Sequence, residues 1–413
     1  MILTLKKTTC WRRLWSHIPN ERIRERGSME TGMRLVIYVS YIPLTKKIAR
    51  DWYVNYLLDV PEVNVKFWDI SYLLRGQLNE QGEQKAEYAR EIRDFPELER
   101  AVAMHRDAVF VLLLPKIWKY RRVFRLLSQH NCKTAVVKWG GMPDWGYSSR
   151  NGLLQWMLSP RVLLSKIRNR VHAFILRQSW YVQPYEVVFA AGQVMLSRSE
   201  ATRRLVPIGF CDFEQYVLSK LCERVVDKKY ALFLDNYLPF HSDLKLVGMH
   251  PLNPQTYYAE LDRFFALAEQ KYGLEVVISA HPKARYSKNE FRGRKVIADK
   301  TSVLVRYAEF VICHASTSVG YAVLHRKPLW TIYTDEMHSL YKQNYMQSIW
   351  ALSKYLRVPS FNVSQIEEAA IPELEKPKED RFAAYERDFL VTLGIEGGQS
   401  KKVFLREILA LSN

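Results

Sequence analysis

Short apolar runs bounded by polar or turn-forming residues recur along this chain, and the stretches between them repeat apolar positions at helical spacing. Arg34 to Ser40 reads as a first buried strand. The pattern then predicts helix over 51–58, strand over 64–70, helix over 83–93 and 98–105, strand over 108–114, helix over 122–130 and strand over 134–138. After a basic segment come a strand at 186–190 and an edge strand at 206–209. A helix over 213–226 separates two halves, and the alternation restarts at Tyr230. Strands are expected at 231–234, 275–279, 295–298, 310–313 and 329–333, with helices at 257–271, 302–307 and 319–324. Pro372 to Asp380 reads as a charged loop before a C-terminal helical region. Such alternation builds parallel sheets covered on both faces, and 413 residues exceed what one core fills. The expectation is an α/β protein of two Rossmann-like domains facing across a cleft, residues 33–226 and 227–413.

Residues 1–32 carry seven Lys/Arg without a continuous apolar core, so they form no secretory signal and read as a basic extension outside the folded body. Translation from Met29 or Met33 is an alternative start. The five cysteines are scattered, without CxxC or Cys/His spacing, which argues against a disulfide framework or a zinc site and fits a reducing cytoplasm. No apolar stretch approaches the roughly 18 residues of a spanning helix.

The formal charge of +18 changes the picture, because an excess of this size attracts polyanions or anionic membranes. Between Pro115 and Trp180 stand thirteen Lys/Arg against one acid, Asp144, interleaved with Trp118, Trp145, Trp156 and many leucines. The stretch from Leu153 to Leu176 reads as basic amphipathic helix interrupted near Pro160, suited to an anionic membrane surface. A solvated basic face over a core helix is the competing reading. Nucleic acid has no accompanying motif and is not expected as a partner.

The candidate chemistry gathers at strand ends in the second half. Asp235 follows a strand and opens a loop that also holds His241 and Asp243, which makes Asp235 the first candidate base and the other two its reserves. A turn-capping role for Asp235 competes with this. His281-Pro282 ends another strand, with Lys283 and Arg285 adding positive charge, so its imidazole is placed to donate to a phosphate or protonate a leaving group. Ser316-Thr317-Ser318 lies between a strand and a helix, where hydroxyls and amides can surround a phosphate, or simply cap the helix. Asp335-Glu336 suits a metal or a ribose less well than a solvated helix start. Walker A, GxGxxG, GxSxG and HExxH patterns are absent.

With these residues assembled, the second half resembles bacterial surface-polysaccharide glycosyltransferases of the GT-B type, in particular the sialyltransferase-like and polysialyltransferase-like groups. The resemblance rests on His281-Pro282, on Ser316 to Ser318, and on the acidic loop at Asp235, and covers about residues 230 to 335. It implies transfer of an acidic ulosonic sugar, sialic acid-like or Kdo-like, from a CMP donor to a glycan or lipid-linked glycan acceptor in O-antigen, lipopolysaccharide or capsule synthesis. It further implies that His281 meets the nucleotide phosphate, with Pro282 and Lys283 beside it. Ser316, Thr317 and Ser318 hold that phosphate, and Asp235 activates the acceptor. No metal or other cofactor is implied. Asp235 departs from the family's two-acids-then-glycine form, being followed by Asn236 and Tyr237. The enzyme is expected in the cytoplasm, peripherally on the inner membrane. The alternatives are a CDP-polyol phosphotransferase of teichoic-acid type, a UDP-sugar-using GT-B transferase, and a non-catalytic glycan- or membrane-binding component.

Overall fold

The computed structural model describes residues 33–76, 86–143, 160–198, 201–241, 244, 249–286, 290–342, 345–392 and 399–411. Two compact units emerge: residues 33–140, 160–211 and 388–411 form one, and residues 141–143 with 212–387 form the other. The sequence boundary at 226/227 thus lies at 211/212 in the fold. The end of the chain also returns to the N-terminal unit instead of staying with the C-terminal one.

The N-terminal unit is built on seven parallel strands: β1 (Arg34–Ser40), β2 (Val63–Asp69), β3 (Ala89–Glu91), β4 (Val109–Leu113), β5 (Lys133–Lys138), β6 (Tyr185–Ala191) and β7 (Thr202–Ile208). They lie in the order β3-β2-β1-β4-β5-β6-β7. Strand β4 is buried along its whole length, as a central parallel strand covered on both faces requires. Pro207, which cannot donate to a ladder, sits on the edge strand β7. Two expectations fail here. The helix expected over 83–93 gives way to β3, because pairing with β2 through Phe67, Trp68 and Asp69 outweighs local helix propensity. The helix expected over 51–58 is two short helices, Lys46–Asp51 and Val54–Leu58, broken where Tyr53 takes a left-handed φ of 60°.

The tail closes this unit. Gly209 N donates to Ser400 Oγ at 2.9 Å, Phe404 packs 5.1 Å from Tyr53 and 4.8 Å from Phe189, and Arg204 pairs with the buried Glu407 at 2.8 Å. Gly192, at φ +74°, lies so close to the tail that a Cβ would stand 2.5 Å from the Asp388 carbonyl.

The C-terminal unit holds six parallel strands: β8 (Tyr230–Leu234), β9 (Glu275–Ser279), β10 (Val296–Ile297), β11 (Phe310–Cys313), β12 (Leu329–Tyr333) and β13 (Ser360–Asn362), in the order β10-β9-β8-β11-β12-β13. The helix Pro254–Tyr272 carries the chain from β8 to β9. Asn253 caps it by accepting from Gln255 N and Thr256 N at 2.9 and 3.2 Å, Pro254 begins it, and Gly273 ends it in the left-handed region. Its stripe of Tyr257, Leu261, Phe264, Phe265 and Ala268 is buried against the sheet. Each of the large side chains contributes about 1.5–3 kcal/mol by leaving water. The helix expected over 213–226 is shorter, Cys211–Ser219. Among the described residues, Cys132 and Cys313 are buried thiols.

Candidate active site at the switch point of the C-terminal sheet

In the C-terminal sheet the order reverses between β8 and β11, so the chain leaves these neighbours toward opposite sides and opens a crevice at their carboxyl ends. Register fixes what lies there. Leu234 pairs with Ser279 on one side and with Cys313 on the other, which sets Asp235, Ala280 and His314 level with one another. Asp235 N donates to the Ser279 carbonyl at 3.1 Å, and Asn236 Nδ2 donates to the Ala315 carbonyl at 3.1 Å. The loops carrying Asp235, His281 and Ser316 to Ser318 are therefore side by side.

Asp235 is 5% exposed. One carboxylate oxygen accepts from Tyr237 N at 3.0 Å and the other from the Tyr286 hydroxyl. Burial pushes its pKa up to about 6, against the lowering effect of these hydrogen bonds. The turn-capping role is thus filled, since the bond to Tyr237 N holds the loop in an Asx turn with Tyr237 at φ 53°. The route from Asp235 outward runs through Tyr286, a half-buried residue that no motif singles out. Tyr286 packs edge-on to Tyr237 at 5.5 Å, and Tyr237 donates to the Arg285 carbonyl at 3.0 Å, tying the β8 and β9 loops together.

His281 is half-buried, between the exposed Pro282 and Lys283 and the loop after β8. Lys283 N donates to its Nδ1 at 3.2 Å, which places the neutral ring's proton on Nε2 and makes that nitrogen a donor. His241, named in the sequence only as a reserve, has its ring 4.8 Å from that of His281. Asp243, the other reserve, lies outside the described residues.

Ser316 and Ser318 are half-buried and Thr317 is exposed. The helix after them, Val319–Leu324, spans six residues, too short to present a macrodipole. The amides of Ser318, Val319 and Gly320 are taken by Ser316 Oγ, Ser316 O and Thr317 O at 3.3, 3.1 and 3.0 Å. The hydroxyls, rather than those three amides, are what this turn offers a phosphate.

His314 belongs to the core. It is fully buried, its Nδ1 donates to the Ile332 carbonyl at 2.7 Å and its Nε2 accepts from the Tyr257 hydroxyl at 2.8 Å. Burial drives its pKa down to about 4. Asp335 and Glu336 begin the helix Asp335–Tyr341, where Asp335 accepts from Asn362 at 2.6 Å and Glu336 from Asn253 N at 2.9 Å.

No family model matches the chain, and no curated protein matches it in sequence. Solved structures do match. A histidine-to-alanine variant of the wall teichoic acid polymerase TagF aligns over 93% of this chain and 90% of its own at 11% identity, with a TM-score of 0.51. The UDP-GlcNAc 2-epimerase of Methanocaldococcus jannaschii, in complex with UDP-GlcNAc and UDP, aligns over 92% of this chain and 100% of its own at 14% identity, with a TM-score of 0.44. The kitacinnamycin glycotransferase aligns over 92% and 96% at 11% identity, with a TM-score of 0.42. At such identities a likeness speaks to fold alone, and the TagF alignment is the one that carries weight. Two parallel sheets, each with helices between its strands, together with that alignment, give this chain a two-domain α/β fold of the GT-B type.

Proposed function

We propose that this chain is a glycosyltransferase that takes an acidic ulosonic-type sugar from a CMP donor and passes it to a surface glycan, free or lipid-linked. The observation that carries the reading is the adjacency of the β8, β9 and β11 loops at one switch point, with a donor imidazole on one side and three hydroxyls on the other. In this reading His281 Nε2–H and the Lys283 ammonium meet the phosphate of CMP, and Ser316, Thr317 and Ser318 meet it from the β11 side. As the glycosidic C–O bond breaks, the electron pair goes to that phosphate, and His281 stabilises or protonates it. The acceptor hydroxyl gives its proton to the Tyr286 oxygen while Tyr286 passes its own to Asp235. A carboxyl with a pKa of about 6 is poised for that step. The reading routes no step through a metal.

A second reading, transfer of a polyol phosphate from a CDP-linked donor, draws support from the fold shared with the wall teichoic acid polymerase TagF. Ligand-dependent melting separates the two. CMP and a CMP-linked ulosonic sugar are expected to raise the melting temperature, by about 2.7 kcal/mol of added stability at a hundredfold excess over Kd. Selective stabilisation by CDP and CDP-glycerol moves the assignment to the second reading. Indifference to CMP, CDP and UDP alike overturns both and leaves a binding component.

A further inference from the structure

The helix Pro160–Arg177 of the N-terminal unit is apolar on the side that faces water. Leu164, Ile167, Val171 and Phe174 are 65%, 49%, 49% and 64% exposed. At about 100° per residue these four fall within about 80° of one another, so they form one stripe and not a scatter of single exposed residues. The far side is what holds the helix to the body. Leu176 is buried, and the His172 ring lies flat on Trp118 with centroids 4.1 Å apart at an interplanar angle of 5°. Beside the helix, Trp180 is 75% exposed and Ile117, next to Trp118, is 44% exposed.

The charge around the stripe says what covers it. The helix carries five Lys/Arg and no acid. Of these, the exposed Arg168 borders the stripe on one side, and the exposed Arg170 and Arg177 border it on the other. An apolar stripe edged by cations on both sides matches an anionic bilayer, whose acyl region takes the apolar side chains while its headgroups meet the guanidinium groups. The exposed Trp180 just past the helix adds an amphipathic ring of the kind that sits at the boundary of headgroups and acyl chains. Among the described residues no helix is long and apolar enough to cross a membrane. We infer that Leu164, Ile167, Val171 and Phe174, with Trp180 and the flanking arginines, form the face by which the protein docks on an anionic membrane. This inference stands whether or not the donor reading does.

The test is flotation of the full-length chain with vesicles of phosphatidylcholine alone and of phosphatidylcholine with about 30% phosphatidylglycerol. Binding is expected to the anionic vesicles alone and to weaken as salt rises. Replacing Ile167, Val171 and Phe174 by serine is expected to lower it about tenfold, and Arg168→Gln/Arg170→Gln/Arg177→Gln to lower it by a similar factor. Because all six positions are exposed, unchanged melting temperatures are expected and serve as the control for folding. Undiminished flotation of the serine variant overturns the proposal, as it assigns binding to charge elsewhere. A wild-type dimer that the serine substitutions dissociate, with no vesicle binding, overturns it in favour of a second copy of the chain.

Discussion

The two sheets of this protein share a strand order through their first six strands, so each has a switch point between its first and fourth strand, yet the two crevices are furnished differently. In the C-terminal unit Tyr286 bonds Asp235, and the neighbouring loops carry His241, His281 and the Ser316 to Ser318 hydroxyls. In the N-terminal unit the corresponding polar groups close on themselves. Ser40 is fully buried and its hydroxyl donates to the Ile42 carbonyl at 2.6 Å, while Asp69 accepts from Ser71 N at 2.8 Å. Tyr41, just after β1, stands 6.1 Å from Tyr120 and under the Arg75 guanidinium at 5.6 Å. Topology supplies a crevice in both units, and the two are lined by different side chains.

His281→Ala probes the difference between the two crevices most directly. In the proposed reaction His281 acts on the leaving phosphate, so its loss is expected to reduce kcat by about 10²–10³-fold, with the melting temperature unchanged. Turnover of that variant within a few fold of wild type would remove His281 from the proposed chemistry.

The pH dependence of stability gives a finer test. Asp235 holds its proton to about pH 6 when folded but loses it near 3.8 when unfolded, so between these values the folded state binds more protons and stability falls as pH rises. His314 has the opposite sign. Unfolded it protonates near 6.5 and folded only near 4, so its contribution is lost as pH falls through that window. Relative to wild type, Asp235→Asn is therefore expected to add about 1.4 kcal/mol per pH unit to the slope between those limits, and His314→Asn to subtract a similar amount. Urea unfolding from pH 4 to 6 measures both, and equal slopes in all three proteins would remove the buried-carboxyl account.

The smallest effect is expected from Ser40→Ala, about 1 kcal/mol of stability from the lost hydrogen bond and less than a twofold change in turnover. A large catalytic loss there would mean that the N-terminal crevice takes part in chemistry after all.

Much of the C-terminal unit is legible in the sequence because its strands are buried on both faces. The runs 275–279, 310–313 and 329–333 have nothing but apolar or small residues in their interiors, and the structure has strands with those bounds. The strand Ser360–Asn362 and the helix Tyr345–Leu356 are missed. Three half-buried residues on a sheet edge make no pattern, whereas the helix does have a start signal in the sequence, Asn344 directly before it and Gln347 three positions on. At the site, strand-end position points to His281 and to Ser316 to Ser318. Tyr286 is illegible, since its bearing on Asp235 comes from a loop folding back across 51 positions of sequence. His314 is the reverse case, a polar residue at a strand end whose neighbours Tyr257 and Ile332, far off in sequence, make it part of the core.

The tail that closes the N-terminal unit has a consequence for how the protein is made. A ribosome emits residues 33–211 first, but the groups that seat against Gly192, Gly209 and Tyr53 lie beyond residue 387. At about 5–20 residues per second, the first sheet waits roughly ten to forty seconds for its last helix. In that interval the C-terminal unit, contiguous from 212 to 387 save for a short strip at 141–143, has its own sequence in hand. Synthesis thus runs from the N-terminus while completion runs the other way, and the unit begun first is finished last.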